Sequence, residues 1–413
     1  MPILCYNRYM RKTSKKPKII GIDARFYGPI GKGLGRYTQE IVDNIIRINH
    51  GHEYVIFLGK DNFNEFKPEN QNVRKVLADA RWYTIKEQVL MPWLFWRHGL
   101  DLVHVPHFNA PIFSFKKLVI TIHDLILIRF PTARATTLGP LMYKVKNFGY
   151  KLVIWLAAKR AKKIIAVSKY TKDDIVKHFK INPDKVKVIY EGVANLAKNR
   201  DTSPPAPLLH KERGIKGVRS NDKDTLLGYN IVNPFLLYVG NAYPHKNLEG
   251  LIKVFAKLRK KQLNLCLVLV GKEDYFYRRA KNYAKELNLS KEILFPGYVP
   301  DAKLEILFKN ARAYVFPSFY EGFGLPPLEA MAKGCPVVSS SASSMPEILG
   351  KAALYFNSED EAEMEERILE ILKNKNLREQ LIEKGFSQAR KYNWWEAARK
   401  TLEVYEEVLK NNQ

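Results

Sequence analysis

Acidic residues are scarce in this chain. Its 413 residues hold 42 aspartates and glutamates against 68 lysines and arginines, a formal net charge of +26. Such an excess points to nucleic acid, an anionic membrane or phosphorylated ligands. The cations are spread along the whole length. No zinc-finger spacing, RNA-binding aromatic signature or long basic repeat accompanies them, so nucleic acid is not an expected partner. Cysteine is rarer still. Cys5, Cys266 and Cys335 lie far apart, without disulfide or metal spacing, and Cys266 inside "LCLVLV" reads as a buried free thiol. Long apolar runs are missing as well. None reaches the ~18 residues of a membrane span, and residues 1–18 have no apolar core of a secretion signal. The expected location is the cytoplasm, with a peripheral position on the inner face of a membrane left open by the charge.

A chain of this length exceeds one ordinary core and predicts two domains. Residues 1–17 read as a basic, disordered tail. From "IIGID" (19–23) onward, apolar runs such as "YVIFL", "LVITI" and "IIAV" alternate with amphipathic helical patterns up to residue 195. Residues 196–231 break the pattern: they are polar, contain three consecutively spaced prolines in "SPPAP", and read as a disordered linker or insertion. The alternation restarts with "FLLYVG" (235–240) and runs to about residue 390. Continuous apolar strands separated by helices indicate parallel sheets covered on both faces. The expected fold is therefore α/β, with two Rossmann-like parallel-sheet domains, 18–195 and 232–390. Their ligand sites should lie beyond the carboxyl ends of the strands and face a shared cleft.

The chemistry-bearing residues follow strands. In "AYVFPSFYEGFGLPPLEAMAKG", a strand and loop precede a helix expected from about Pro326 to Gly334. Gly322 and Gly324 would let a ligand approach the backbone, and the N–H groups of Gly324 and Leu325 would form an anion site at the helix start. Glu321 and Glu329 flank that site, as two ends of a sugar–diphosphate–nucleoside would require. A glutamate in a first helical turn also has an ordinary role against the helix dipole. In "YVGNAYPHKNLEG", Gly240 ends a strand and Lys246 precedes a helix, where it would neutralise a diphosphate. Gly31, Gly33 and Gly35 in "GKGLGRY" form a glycine loop that lacks the dinucleotide-binding spacing. His123 and Asp124 directly follow a buried strand. His104 and His107 sit at another strand end, with no third ligand near in sequence to make a metal site. Asp222–Lys223–Asp224, the single Asp-x-Asp triplet, lies in the polar insertion and reads as solvated charge, not as a metal-binding pair.

Together these segments resemble a retaining glycosyltransferase of family 4 with the GT-B fold. "FPSFYEGFGLPPLEAMAKGCPVVSS" is similar to that family's paired-glutamate signature almost throughout. "GLGRYTQEIV", "HVPHFNAP", "TIHDL", "AVSKYTKDDI" and "YNWWEAARKTLEVY" fall in the family's order. The resemblance covers roughly 18–195 and 232–410, and within the family is nearest mannosyltransferases of surface-polysaccharide assembly. It implies metal-independent transfer of a hexose from a nucleoside-diphosphate sugar to a glycan or lipid-linked acceptor, with no cofactor. Glu321 would hold the sugar hydroxyls, Glu329 the ribose hydroxyls, and His123 the sugar from the first domain. Lys246 and the Gly324–Leu325 amides would stabilise the leaving diphosphate. Gly240, Asn241, Gly322 and Phe323 would complete the donor site, and Gly33, Gly35 and Asp124 would border the phosphate and acceptor. A C-terminal helix within 391–413 would pack back toward the first domain. Asn241 and His245 stand where the family often has basic residues, and the insertion is not a family feature. A phosphorylase or hydrolase on the same fold, or a non-catalytic sugar-nucleotide-binding module, stays open. A basic, aromatic stretch, 143–163, is the candidate contact with an anionic membrane.

Overall fold

Runs of β-branched and aromatic residues bounded by glycine, asparagine and proline form two sheets in this computed structural model, which describes residues 16–49, 51–68, 70–130, 140–193, 220–261 and 264–410. The first sheet contains β1 (Ile19–Asp23), β2 (Glu53–Leu58), β3 (Val73–Leu77), β4 (Leu102–Val105), β5 (Lys117–Ile122), β6 (Lys163–Ala166) and β7 (Val186–Val188). The second contains β8 (Phe235–Val239), β9 (Cys266–Val270), β10 (Ile293–Gly297), β11 (Ala313–Phe316), β12 (Val337–Ser340) and β13 (Ala353–Phe356). Every pairing is parallel, in the orders β3-β2-β1-β4-β5-β6-β7 and β10-β9-β8-β11-β12-β13. Tyr54 through Leu58 are wholly buried, as a strand covered on both faces requires. β3, "VRKVL", escapes the apolar pattern because it is an edge strand, where charged side chains are tolerated and block further pairing.

Strand order reverses between β1 and β4 in the first sheet and between β8 and β11 in the second. At such a reversal the connections leave on opposite faces, and a crevice opens beyond the strand ends. Both crevices lie where the two domains meet.

Three expectations are revised. The glycine loop at 31–35 is largely helical: a 3-10 turn, Pro29–Gly31, runs straight into the helix Lys32–Ile48, so Gly33 and Gly35 lie in its first turn. A Cβ on Gly35 would stand 2.0 Å from the Gly28 carbonyl oxygen, whereas one on Gly33 would meet nothing within 4 Å. The expected linker 196–231 is not structureless at its end: Ser220–Gly228 is helical, and Leu226 and Ile231 are buried in the second core. Those two apolar anchors hold it. Residues 194–219, like the tail 1–15, lie outside the described residues. The 325–332 helix, Leu325–Ala332, is shorter than expected and ends two residues before Gly334, which has φ 75°.

The last helix, Trp394–Lys410, covers the first sheet. Its Ala398, Leu402, Tyr405 and Val408 share one core with Tyr37, Ile41 and Ile45 of Lys32–Ile48. Polar contacts reinforce the seat: Tyr405 Oη lies 2.6 Å from His104 Nδ1, and Lys163 is 2.5 Å from Glu407.

Candidate active site

The carboxyl end of β8 is held by three tyrosine hydroxyls. Tyr314 donates to the Val239 carbonyl at 3.1 Å, Tyr277 to Gly240 at 2.8 Å and Tyr238 to Asn241 at 2.6 Å. Gly240, with φ 156°, leaves its missing Cβ position to the Tyr238 ring. Burial raises the pKa of all three phenols, so they remain donors. The turn so fixed leads through Pro244–Lys246 into the helix Leu248–Lys260.

Across the sheet reversal, the loop after β11 brings Glu321 to Lys246. Lys246 Nζ is 2.5 Å from Glu321 Oε1, with side chains 13% and 10% exposed, and 5.6 Å from the centre of the Phe316 ring. The Glu321 N–H donates to Ser343 Oγ at 2.8 Å, and Ser344 Oγ donates to the Glu321 carbonyl at 3.0 Å. His245, next to the lysine, is driven down to about 4 chiefly by burial and secondarily by the Lys246 charge. It is therefore neutral and adds no positive charge.

Gly322 and Gly324 serve the protein before any ligand. A Cβ on Gly322 would stand 1.7 Å from the His123 carbonyl oxygen, so this glycine is where the domains touch. Gly324 has φ 88°, a conformation glycine adopts without cost, and its open side is filled by Met345. Phe323 is buried and packs its ring against Tyr392 (5.5 Å between centroids). Leu325 opens the helix, and the prolines at 326 and 327 have no N–H to satisfy.

The first domain supplies the other wall. His123 Nδ1 is 2.9 Å from Glu191 and Nε2 is 3.1 Å from the Pro106 carbonyl. The two contacts fix the ring between Glu191 and the loop after β4. Asp124 accepts from the Ile126 N–H at 2.9 Å, and burial raises its pKa. Arg36, one turn beyond Gly33, reaches over the cleft and pairs with Glu329. Burial raises the Glu329 pKa and Arg36 opposes the rise. Farther along, Tyr320 Oη donates to Asp174 at 2.7 Å, Ser168 Oγ to the Gly322 carbonyl at 2.6 Å, and Glu347 accepts the N–H groups of Lys169 and Tyr170 at 2.7 and 3.0 Å. That carboxylate caps the N-terminus of the helix Lys169–Phe179 from the opposite domain, with favourable sign for the helix dipole.

His104 and His107 are buried and face no common metal site. His104 bridges Tyr405 and Thr121, and burial lowers its pKa to about 3. Among the described residues, no group of three or more histidine, cysteine or acidic side chains is placed to hold a metal ion.

Residues 31–194 match the family model described as Glycosyltransferase Family 4, and residues 230–388 match that of Glycosyl transferases group 1. The chain belongs to the family 4 glycosyltransferases. It is similar to the O-antigen chain mannosyltransferase B of Escherichia coli, 27% identical over 90% of this chain and 95% of the relative. It is also similar to the O-antigen chain mannosyltransferase RfbU of Salmonella typhimurium, 31% identical over 63% of this chain and 66% of the relative. A solved glycosyltransferase from Rickettsia africae ESF-5 superposes with a TM-score of 0.68 at 17% identity, covering 96% of this chain and 100% of that one. The two facing parallel-sheet domains are the GT-B fold.

Sequence reading placed Glu321, Lys246, His123 and Asp124 about this glycosyltransferase's cleft, and the structure brings them together. It did not single out Arg36, although the residue stands inside the quoted "GKGLGRY". It also passed over Glu191, the Glu347 cap and the three tyrosines. Tyr238 and Tyr314 sit in strands and Tyr277 in a helix, where an aromatic residue signals packing alone.

Proposed function

We propose that this glycosyltransferase moves a hexose, mannose by analogy with its named relatives, from a nucleoside-diphosphate sugar to a glycan or lipid-linked acceptor. The reading adds retention of anomeric configuration and no requirement for a metal. The observation that carries it is the Lys246–Glu321 pair at the strand-order reversal of the second sheet, beside the start of Leu325–Ala332.

The costly event is charge build-up as the C1–O bond to the diphosphate breaks. Lys246 and the amides at Gly324 and Leu325 would meet that charge with donors already in place. Glu321 would hold the sugar's hydroxyls while Lys246 turns from it to the phosphate. Ribose hydroxyls would displace Arg36 from Glu329, leaving a cation beside an anionic donor. The acceptor oxygen would bond to C1 on the face the diphosphate leaves, its proton passing to a phosphate oxygen. His123, fixed by Glu191 and Pro106, would orient the sugar from the first domain.

Thermal-shift binding with GDP-, UDP-, dTDP- and ADP-sugars identifies the donor, and a mannose-bearing one is expected to give the largest shift. Transfer assayed with that donor should persist in EDTA and give a product with the donor's anomeric configuration by NMR. Loss of activity in EDTA, or inversion, would refute the corresponding part of the reading.

A further inference from the structure

Large apolar side chains are ordinarily withdrawn from water, yet the helix Ile85–Arg97 is apolar on two faces. Met91, Leu94 and Phe95 are buried in the first domain's core. On the outer side, Ile85, Val89, Trp93 and Trp96 are 86%, 67%, 47% and 72% exposed. Spacings of four, four and three residues place them in one stripe. The turn before β5 adds Phe113 and Phe115, 64% and 98% exposed. It is tied to the helix by the Ile112 N–H, which donates to Gln88 at 2.8 Å. Scattered exposed apolar residues are normal; a continuous group of this kind marks an interaction surface.

The charges around it are mainly basic; the partly exposed Asp79 at its edge is shared by Lys60 and Lys86, at 2.8 and 3.6 Å. Arg81, Lys86 and Arg97 are exposed, and Arg97 lies 5.3 Å from the Trp93 ring centre. Glu87, the one acid between residues 81 and 99, is buried and held by Arg25 at 2.6 Å. Residues 104–122 contain no acid and bring Lys116, whereas Lys117 is engaged elsewhere, its Nζ donating to the Val408 carbonyl at 2.8 Å. Indole and phenyl rings on a helix face bordered by cations suit the headgroup region of a bilayer carrying negative charge.

We infer that this face, the outer side of Ile85–Arg97 with the Phe113–Phe115 turn, docks the protein on an anionic lipid surface. The contact expected at 143–163 thereby moves. In the helix Pro140–Arg160, Leu152 and Trp155 are 42% and 43% exposed, while Ile154 is buried, which makes it a margin of the surface. Arg160 joins this helix to the turn by donating to the Ser114 carbonyl. The stripe begins at the cleft: Tyr83, at its head, lies 6.1 Å from His107, just beyond β4. A lipid-borne acceptor would thus leave the bilayer beside the first domain's crevice. That purpose rests on the transferase reading; the binding itself does not.

Flotation of the full chain with vesicles of phosphatidylcholine, alone or mixed with phosphatidylglycerol, tests the inference. Binding is expected to the mixed vesicles and to weaken with salt. Trp96→Glu and Phe115→Glu should each lower the partition coefficient about tenfold or more, with unchanged melting temperature and unchanged nucleotide-sugar binding. Equal binding to both vesicles, binding to neither at low salt, or variants that float like the wild type would overturn it. So would a wild-type dimer in sedimentation velocity that Trp96→Glu dissociates, since the face would then belong to a second copy. Loss of nucleotide-sugar binding in the wild type would instead count against the proposed function and leave the docking result standing.

Discussion

Replacing Lys246 with alanine removes the cation that stands between Glu321 and the expected diphosphate. Two unit charges about 4 Å apart interact by ~4 kcal/mol at an effective dielectric near 20. Lys246 is already paired with Glu321, at 2.5 Å. The net benefit to the leaving group is thus below that ceiling, about 3 kcal/mol, the size found for single preorganised donors. The expected fall in kcat/KM is about 10²–10³. The close pair has a second consequence. Glu321, 10% exposed at its side chain, loses a partner in the variant, which costs ~1–3 kcal/mol of stability. Activity and melting temperature should therefore both fall. Adding Glu321→Gln removes the stranded charge, and the double variant should recover the melting temperature but not the rate. Initial rates with the identified donor and parallel thermal melts decide the matter. Activity within a few-fold of wild type would end the diphosphate role, and an unrecovered melt would show that the stability loss has another source.

The two glutamates should separate in calorimetry with bare nucleoside diphosphate: Glu329→Gln weakens binding, Glu321→Gln hardly alters it but impairs transfer. Equal losses would undo their opposite-ends layout. Arg36→Met should tighten nucleotide binding several-fold by freeing Glu329 of its competitor, and weaker binding would mean that Arg36 itself holds the nucleotide. Gly35→Ala should lower the melting temperature sharply because its Cβ would run into the Gly28 carbonyl, while Gly33→Ala should leave it unchanged; a drop in transfer with Gly33→Ala would place a ligand at that open position. His104 titrates at about 3 in the folded chain, far below the ordinary 6.5. The unfolded chain therefore takes up its proton first, and stability is lost as pH falls from 6.5 toward 3, by up to about 1.4 kcal/mol per unit. Denaturant melts at pH 7 and pH 5 should show a shallower loss for His104→Gln, and parallel slopes would refute the assignment.

What was legible in the sequence was local. A buried strand, a turn and a helix start can be read from neighbouring residues, so "AYVFPSFYEGFG" and "FLLYVGNAYPHK" disclosed the second domain's crevice, and "TIHDL" one edge of the first. Pairings between remote parts were not legible. Arg36 and Glu329 are separated by 293 positions and meet only because two sheets face each other. Gly322 looked like room for a ligand, but the space is taken by the His123 backbone, a fact of domain docking that no spacing encodes. The helix Ser220–Gly228 was hidden by the polar composition around it; its two anchors, Leu226 and Ile231, are too few to make a periodic signal. The outward stripe of Ile85–Arg97 was missed for the opposite reason: with apolar residues on two faces, the helix has no polar side to define its period.

The seating of Trp394–Lys410 on the first sheet has a consequence for how the protein is made. A ribosome delivers β1 through β7 long before it delivers the residues that cover them, and Tyr37, Ile41 and His104 wait for Leu402 and Tyr405. The domain begun first is thus completed last, after the whole of the second has been synthesised. An interrupted or prematurely terminated chain leaves an apolar sheet face open, a target for chaperones and proteases rather than a usable half-enzyme.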